Sequence, residues 1–403
     1  MPRLDWRRLL FAVGPGLVAM LADTDAGSVI TVAQSGAQWG YRLLLPNLLL
    51  IPFMFVAQEV ALRLGLGSRR GAAELTVKRF GPVPAGLLLA TLALSCFGAL
   101  VSEMSGLAGA AQAFGLPVPA MMAMTVGGLL LIVATGSYRA VERVAIVLGL
   151  FELAFVVMAW RAAPGLAPIA REAVQIPVHD HGYLYLLAAN LGTSVIPWAI
   201  VYQQSASVDK GLGPADAKPA RIETLAGVVL CQTITSALLI AAAATFGGGL
   251  ALDTVTRIET AFTATLGVAI GRVVFILGLS GGALVATIVV CLTLAWAIGE
   301  VLDVEHSLEH QPLQAPWFYA PLTLMLVVGG VLVASGVNLV SVAVAAGVLN
   351  ALLLPPLLAL LYFLARHALP EPLRLKGFYA GLTGCLFALT GAVSLYSGIV
   401  GLL

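Results

Sequence analysis

Charge is what this sequence has least of. Only 10% of its 403 residues are Asp, Glu, Lys or Arg, while 60% are apolar and the mean hydropathy is +0.99. Soluble globular domains carry about a quarter of their residues as charges, so a water-soluble fold is excluded and an integral membrane protein is implied. The 21 basic and 20 acidic residues nearly cancel, at net +1, which offers no footing for nucleic acid. Cysteine is scarce as well. Cys96, Cys231, Cys291 and Cys385 each stand alone in a different apolar stretch. That pattern excludes a disulfide framework and a thiolate metal cluster, and it reads as four ordinary core or lipid-facing residues. No phosphate-cradling loop, nucleophile elbow or paired-cysteine motif is present. The chain therefore reads as neither an enzyme nor an ATP-driven pump, and no cofactor is implied.

What is present is a succession of apolar runs of about 20 residues joined by short polar connectors, enough for about eleven membrane helices. We place them at about 12–38, 42–66, 82–112, 117–136, 141–161, 183–207, 222–247, 268–300, 317–337, 339–366 and 377–402. The expected fold is an all-α polytopic membrane protein forming a single domain over residues 1–403, with the lipid bilayer as its one evident partner and no obligatory protein partner. Met1 to Arg8 run directly into span 1 without a cleavable signal, so span 1 is expected to stay in place. With a cytoplasmic amino terminus, the inside connectors hold Arg3, Arg7, Arg8, Arg63, Arg69, Arg70, Lys78, Arg79, Arg139, Arg143, Lys210, Lys218, Arg221, Arg366, Arg374 and Lys376. Arg42, Arg161, Arg171, Arg257 and Arg272 fall outside. This bias predicts a multi-pass protein of the cell membrane with its amino terminus in the cytoplasm and its carboxyl terminus outside. One inside connector departs from the trend: Glu300 to Glu309 holds Asp303 and Glu305 without Lys or Arg, and its His306 and His310 at helical spacing suggest a solvated surface helix rather than a metal site.

Two spans are broken at their centres. Span 1 is interrupted by Asp23-Thr24-Asp25-Ala26-Gly27-Ser28, and span 6 by Pro197 within Asn190-Leu191-Gly192-Thr193-Ser194-Val195-Ile196-Pro197-Trp198. An ionised acid in hydrocarbon survives only with a partner, and unwound backbone at membrane depth is tolerated only where it lines a site. Spans 1 and 6 are separated by five helices, an odd number, so the units they begin lie in opposite orientations. Matched interruptions of this kind point to a transporter's midplane site. The first repeat covers about 12–161, the second about 183–366, and 377–402 is an extra helix.

Asp25 is the leading cation ligand: a hard oxygen donor at the break, with no basic residue in any predicted span core to pair with it. Asp23 either assists it as a neighbouring acid or lines a vestibule. Ser28 offers a neutral oxygen or a small packing surface. Glu103, in the middle of span 3, reads equally as a proton relay or as a hydrogen-bonding partner of a neighbouring helix. Glu59 and Glu152 lie nearer span ends and are expected to reach toward the interface. Gln203, Gln204 and Asn350 either coordinate or bridge helices.

These residues resemble a known family. Gly14-Pro15-Gly16 through Asp25-Ala26-Gly27-Ser28 to Gln34-Ser35-Gly36-Ala37-Gln38-Trp39-Gly40-Tyr41 is similar to the first span of the Nramp divalent-metal transporters. Ala73-Glu74, Glu103-Met104-Ser105-Gly106, Gly192-Thr193 to Pro197, Leu354-Pro355 and Leu361-Tyr362-Phe363 extend the likeness over nearly the whole chain. The resemblance implies the leucine-transporter-like inverted repeat of five plus five helices, discontinuous helices 1 and 6, and uptake of a divalent cation by alternating access. It implies a metal shell of Asp25, Ser28, the Ala22 and Thr193 carbonyls and the position of Ile196. Asn350 corresponds loosely to an amide ligand.

The departures matter as much. Ser28 stands where the family places Asn, Ile196 where it places Met, Trp198 where it places a His tied to proton movement, and Leu100 where a second acid often accompanies the span 3 Glu. Without the thioether, the preference for transition metals over hard ions such as magnesium is lost, so the expected cargo is a hard divalent cation, magnesium or manganese, and coupling to protons is put in doubt. A symporter of amino acids or other small organic substrates on the same fold is the alternative, since half-helix amino termini can bind a carboxylate. A metal sensor that does not transport is a third reading, for which the short connectors offer little to signal through.

Overall fold

The structure, a computed structural model, describes residues 13–247, 249, 258–259, 263, 267–336 and 339–402. Residue 12, with which predicted span 1 begins, and Arg3, Arg7, Arg8 and Arg257 of the charge count lie outside the described residues. In chain order the helices are α1 (Pro15–Asp23), α2 (Ala26–Trp39), α3 (Leu44–Ser68), α4 (Ala72–Phe80), α5 (Pro82–Ala113), α6 (Val118–Val133), α7 (Tyr138–Gly149) and α8 (Ala154–Ala162). There follow α9 (Leu166–Ala173), α10 (His181–Ser194), α11 (Pro197–Asp209), α12 (Ala217–Phe246), α13 (Val268–Leu302), α14 (Pro316–Ala334), α15 (Leu339–His367) and α16 (Gly377–Leu402). Among the described residues nine helical stretches are long and apolar enough to cross a membrane, and Val118–Val133 is a shorter apolar helix.

Both predicted interruptions are present, and each has a local cause. Asp25 is extended, at φ −74° and ψ 176°, and its carboxylate accepts the Ser28 N–H as the N-cap of α2. A short acid that caps the next helix ends the one before it. In span 6, Pro197 has no N–H to give to Thr193 and forces Ile196 into the extended region, at φ −97° and ψ 131°.

The broken helices form the centre. α1 packs against α12, α11, α13 and α7, and α2 against α12, α15, α10 and α5. The connectors counted as inside meet at one end. Lys210 Nζ donates to the Val13 carbonyl and to Glu142 Oε1, both at 2.6 Å, and Arg63 donates to the Leu373 carbonyl at 3.3 Å. Arg221 lies 3.0 Å from Glu59 at the same end.

The loop holding His306 and His310 is not a surface helix. α13 stops at Leu302, Asp303 is left-handed at φ 55°, and turns lead to α14. These turns fold back over a cavity of about 390 Å³ lined by Glu74, Asp209, Glu300, Asp303, Glu305 and His306.

Candidate metal site

The site is built from backbone that the two breaks release. In an unbroken helix the Ala26 N–H would bond the Ala22 carbonyl; here it donates to Glu103 Oε2 at 2.8 Å. Ala22 O is thereby freed from that bond. Thr193 O is freed by Pro197 in the same way and accepts from Ser28 Oγ at 3.0 Å. The same hydroxyl lies 2.7 Å from the Asp23 carbonyl, so one Ser28 proton is shared between the ends of the two broken helices. Asp25 Oδ1 accepts the Ser28 N–H at 2.6 Å, and the Asp25 and Glu103 carboxyls interact directly. Asp25 is 4% exposed and Glu103 is 0% exposed.

The close approach of α5 depends on two glycines. A Cβ on Gly27 would meet Ser102 Oγ at 2.9 Å, and one on Gly106 would meet the Ala26 Cβ at 2.3 Å. Only hydrogen at these positions lets Glu103 reach the amino end of α2.

The structure thus brings Asp25, Ser28, Thr193 and Glu103 together around the break, with Ile196 buried beside them as the N-cap of α11. Other sequence candidates lie elsewhere. Asp23 contributes its carbonyl to the Ser28 bridge, but its carboxylate turns to the Cys231 thiol, 3.5 Å away. Gln203 donates to Thr224 Oγ1 at 3.3 Å and Gln204 to the Arg70 carbonyl at 3.0 Å. Asn350 accepts from Ser95 Oγ at 2.7 Å, joining α15 to α5. The amides of Gln203 and Asn350 bridge helices, and that of Gln204 ties α11 to the connector between α3 and α4. Trp198 is 0% exposed and its indole N–H is without a partner.

Two residues read from sequence as bland are not so. Glu152, expected to reach for the interface, is 0% exposed, with Thr24, Asp25 and Asp23 around its carboxyl. Cys231, expected to be ordinary core, joins Asp23 to Thr24, accepting from Thr24 Oγ1 at 3.4 Å. Neither had a signal in its own stretch of sequence, because each acts across helices. Glu59 is buried rather than free, lying 2.7 Å from Arg63 and 3.0 Å from Arg221 and accepting from Tyr379.

Among the described residues none of Asp23, Asp25, Glu103 and Glu152 forms an ion pair, and no three His, Cys, Asp or Glu side chains converge as a ready-made metal cluster. The chemistry on offer is one central carboxylate, freed carbonyls and a hydroxyl. That is a hard, oxygen-only donor set for a cation.

Known proteins resemble this chain over most of its length. The family model described as natural resistance-associated macrophage protein-like, Nramp, matches residues 16–399. The divalent metal cation transporter MntH of Acidiphilium cryptum is 29% identical over 406 residues, covering 94% of this chain and 88% of that protein. The MntH of Bacillus subtilis is 25% identical over 251 residues, covering 60% of this chain and 59% of its own. Among solved structures, the Eremococcus coleocola manganese transporter in complex with an aromatic bis-isothiourea compound superposes with a TM-score of 0.77 at 17% identity, over 98% of this chain and 88% of that one. MhsT in complex with L-phenylalanine gives 0.66 at 14% identity, over 96% and 98%. The fold is the one that Nramp and leucine-transporter-like proteins share.

Proposed function

Because the chain belongs to the Nramp family, we propose that it carries divalent metal cations across the cell membrane by alternating access, with its amino terminus in the cytoplasm. The observation that carries this reading is Asp25: a buried carboxylate with no basic partner among the described residues, fixed as a helix cap beside carbonyls that two broken helices have released. A cation is the simplest group to complete that arrangement. The acidic cavity at the end of the molecule holding Lys210 supports it, since clustered carboxylates raise the local concentration of cations.

The selectivity we infer is for hard ions, magnesium or manganese. Ile196 supplies no donor atom where a thioether would select a softer metal, and the Ser28 hydroxyl is engaged by two carbonyls. Few protein ligands remain, which suits an ion that keeps part of its water shell. Coupling to protons is weak in this reading. An indole at Trp198 has no basic nitrogen, Leu100 has no acid, and Glu103 is held by the Ala26 N–H.

The amino-acid symporter finds less support. The α2 amide groups that would greet a carboxylate are occupied, Ala26 N–H by Glu103 and Ser28 N–H by Asp25, and Pro197 removes one from α11. Divalent uptake into proteoliposomes is the test, with the interior pH followed in parallel. Flux above empty vesicles that disappears in Asp25→Ala, without matching acidification, is expected. Absence of divalent flux together with binding of an amino acid would overturn the reading.

A further inference from the structure

Hydroxyls buried within the helices of this chain commonly give their proton to their own helix. Ser35, Thr76, Thr287 and Thr293 each donate to the carbonyl oxygen four residues back, at 2.7 to 2.8 Å. Such a bond satisfies a hydroxyl where water is excluded. Ser102 of α5 does not make it. The residue is 2% exposed, and its Oγ has no hydrogen-bond partner among the described residues. A buried polar atom left in this way calls for an explanation, an ion being one.

The surroundings of that hydroxyl are those of the cation site. A Cβ on Gly27 would lie 2.9 Å from Ser102 Oγ and 3.3 Å from Asp25 Oδ1, so both oxygens flank the same α-carbon. The contact is close packing of α5 on the first turn of α2, and it carries an uncommitted oxygen to the break. The next residue of α5, Glu103, takes the Ala26 N–H at 2.8 Å. Ser28 differs from Ser102 in this respect. Its hydroxyl is already shared between the Asp23 and Thr193 carbonyls, at 2.7 and 3.0 Å. A hydroxyl can offer a lone pair to a cation and its proton to an acceptor at once, and Asp25 is an acceptor close by.

We propose that the Ser102 hydroxyl is a ligand of the divalent cation held at Asp25, which makes α5 a third element of the site beside the two broken helices. The assignment rests on the divalent reading above and deepens it. It adds a neutral hard oxygen to a shell in which Ile196 supplies no donor, and so strengthens the preference for hard ions. An ion bound in this way also ties α5 to the break in span 1.

The test is calorimetry of manganese, magnesium and cadmium binding to the purified chain in nanodiscs, with thermal unfolding of the same samples. Ser102→Ala removes one oxygen and is expected to weaken manganese binding about tenfold or more while leaving the unfolding temperature in place. Ser102→Cys exchanges that oxygen for sulfur, and should raise affinity for cadmium about tenfold over magnesium and add a thiolate-to-cadmium absorption band. Ser105→Ala removes another unpartnered hydroxyl of α5 but keeps the contact with Gly27, and its affinities should match those of the wild type. Should Ser102→Ala fail to fold, Ser102→Cys decides alone. Manganese affinity unchanged in Ser102→Ala, an equal loss in Ser105→Ala, or the wild-type order of metals in Ser102→Cys overturns the assignment and leaves the divalent reading standing. Absence of divalent binding in the wild type overturns both.

Discussion

Ser28 Oγ stands 3.0 Å from the carbonyl oxygen of Thr193, a residue 165 positions away. This single hydroxyl ties the break in span 1 to the break in span 6. The same hydroxyl lies 2.7 Å from the Asp23 carbonyl.

Charge and capping at Asp25 can be separated. Asn caps a helix as well as Asp does, so Asp25→Asn should keep the fold to within about 1 kcal/mol while reducing divalent uptake to the level of empty vesicles. Thermal unfolding and manganese flux on the same preparation check both halves. Flux that survives the substitution would remove Asp25 from the site.

Ile196→Met restores a thioether at the N-cap of α11, where the wild-type side chain is 1% exposed and has no donor. The expected outcome is a gain in affinity for cadmium of about tenfold over magnesium, since a soft sulfur ligand favours the softer ion. Calorimetry against a panel of divalents reads it. An unchanged order of affinities would show that selectivity lies elsewhere.

The approach of α5 to the break is sterically limited. Gly106→Ala places a methyl 2.3 Å from the Ala26 Cβ, which must push Glu103 away from the Ala26 N–H. A stability loss of about 1–3 kcal/mol is expected from such overpacking, accompanied by reduced divalent binding. Normal binding at reduced stability would mean that Glu103 does not support the site.

One end of α1 is held by an ion pair of low exposure, Lys210 with Glu142 at 2.6 Å, with side chains 7% and 11% exposed. The Lys210 ammonium also bonds the Val13 carbonyl and lies over the Tyr138 ring. Removing one partner strands the other, so Lys210→Met should cost roughly 3 kcal/mol. Adding Glu142→Gln should recover part of it. Thermal unfolding of the single and double variants measures the coupling, and additive losses would deny it.

Several features were legible in sequence because they depend on local chemistry. Apolar runs located the helices to within a few residues, and an acid followed by glycine, or a proline, disclosed both breaks and Asp25. Glu152 and Cys231 were not legible, since each lies in an unremarkable apolar stretch and acquires its meaning from the distant break in span 1. The connector from Glu300 to Glu309 misled for a related reason: its histidine spacing suits a helix, but the left-handed Asp303 ends α13 and folds the chain back over a cavity.

The sequence by itself determined that this is a polytopic helical membrane protein of the Nramp type, with two carboxylates at a broken helix and no thioether to accompany them. Those are properties of residue type and spacing, which solvation and helix capping convert directly into structure. The tertiary structure decided which polar groups the breaks free and which they engage. It handed the Ala26 N–H to Glu103, the Ser28 hydroxyl to Thr193, the amides of Gln203 and Asn350 to other helices and that of Gln204 to a connector. It also buried Glu152 beside Thr24 and the two acids of the span 1 break. Hydrogen bonds across tens or hundreds of residues depend on packing, and no local pattern encodes them.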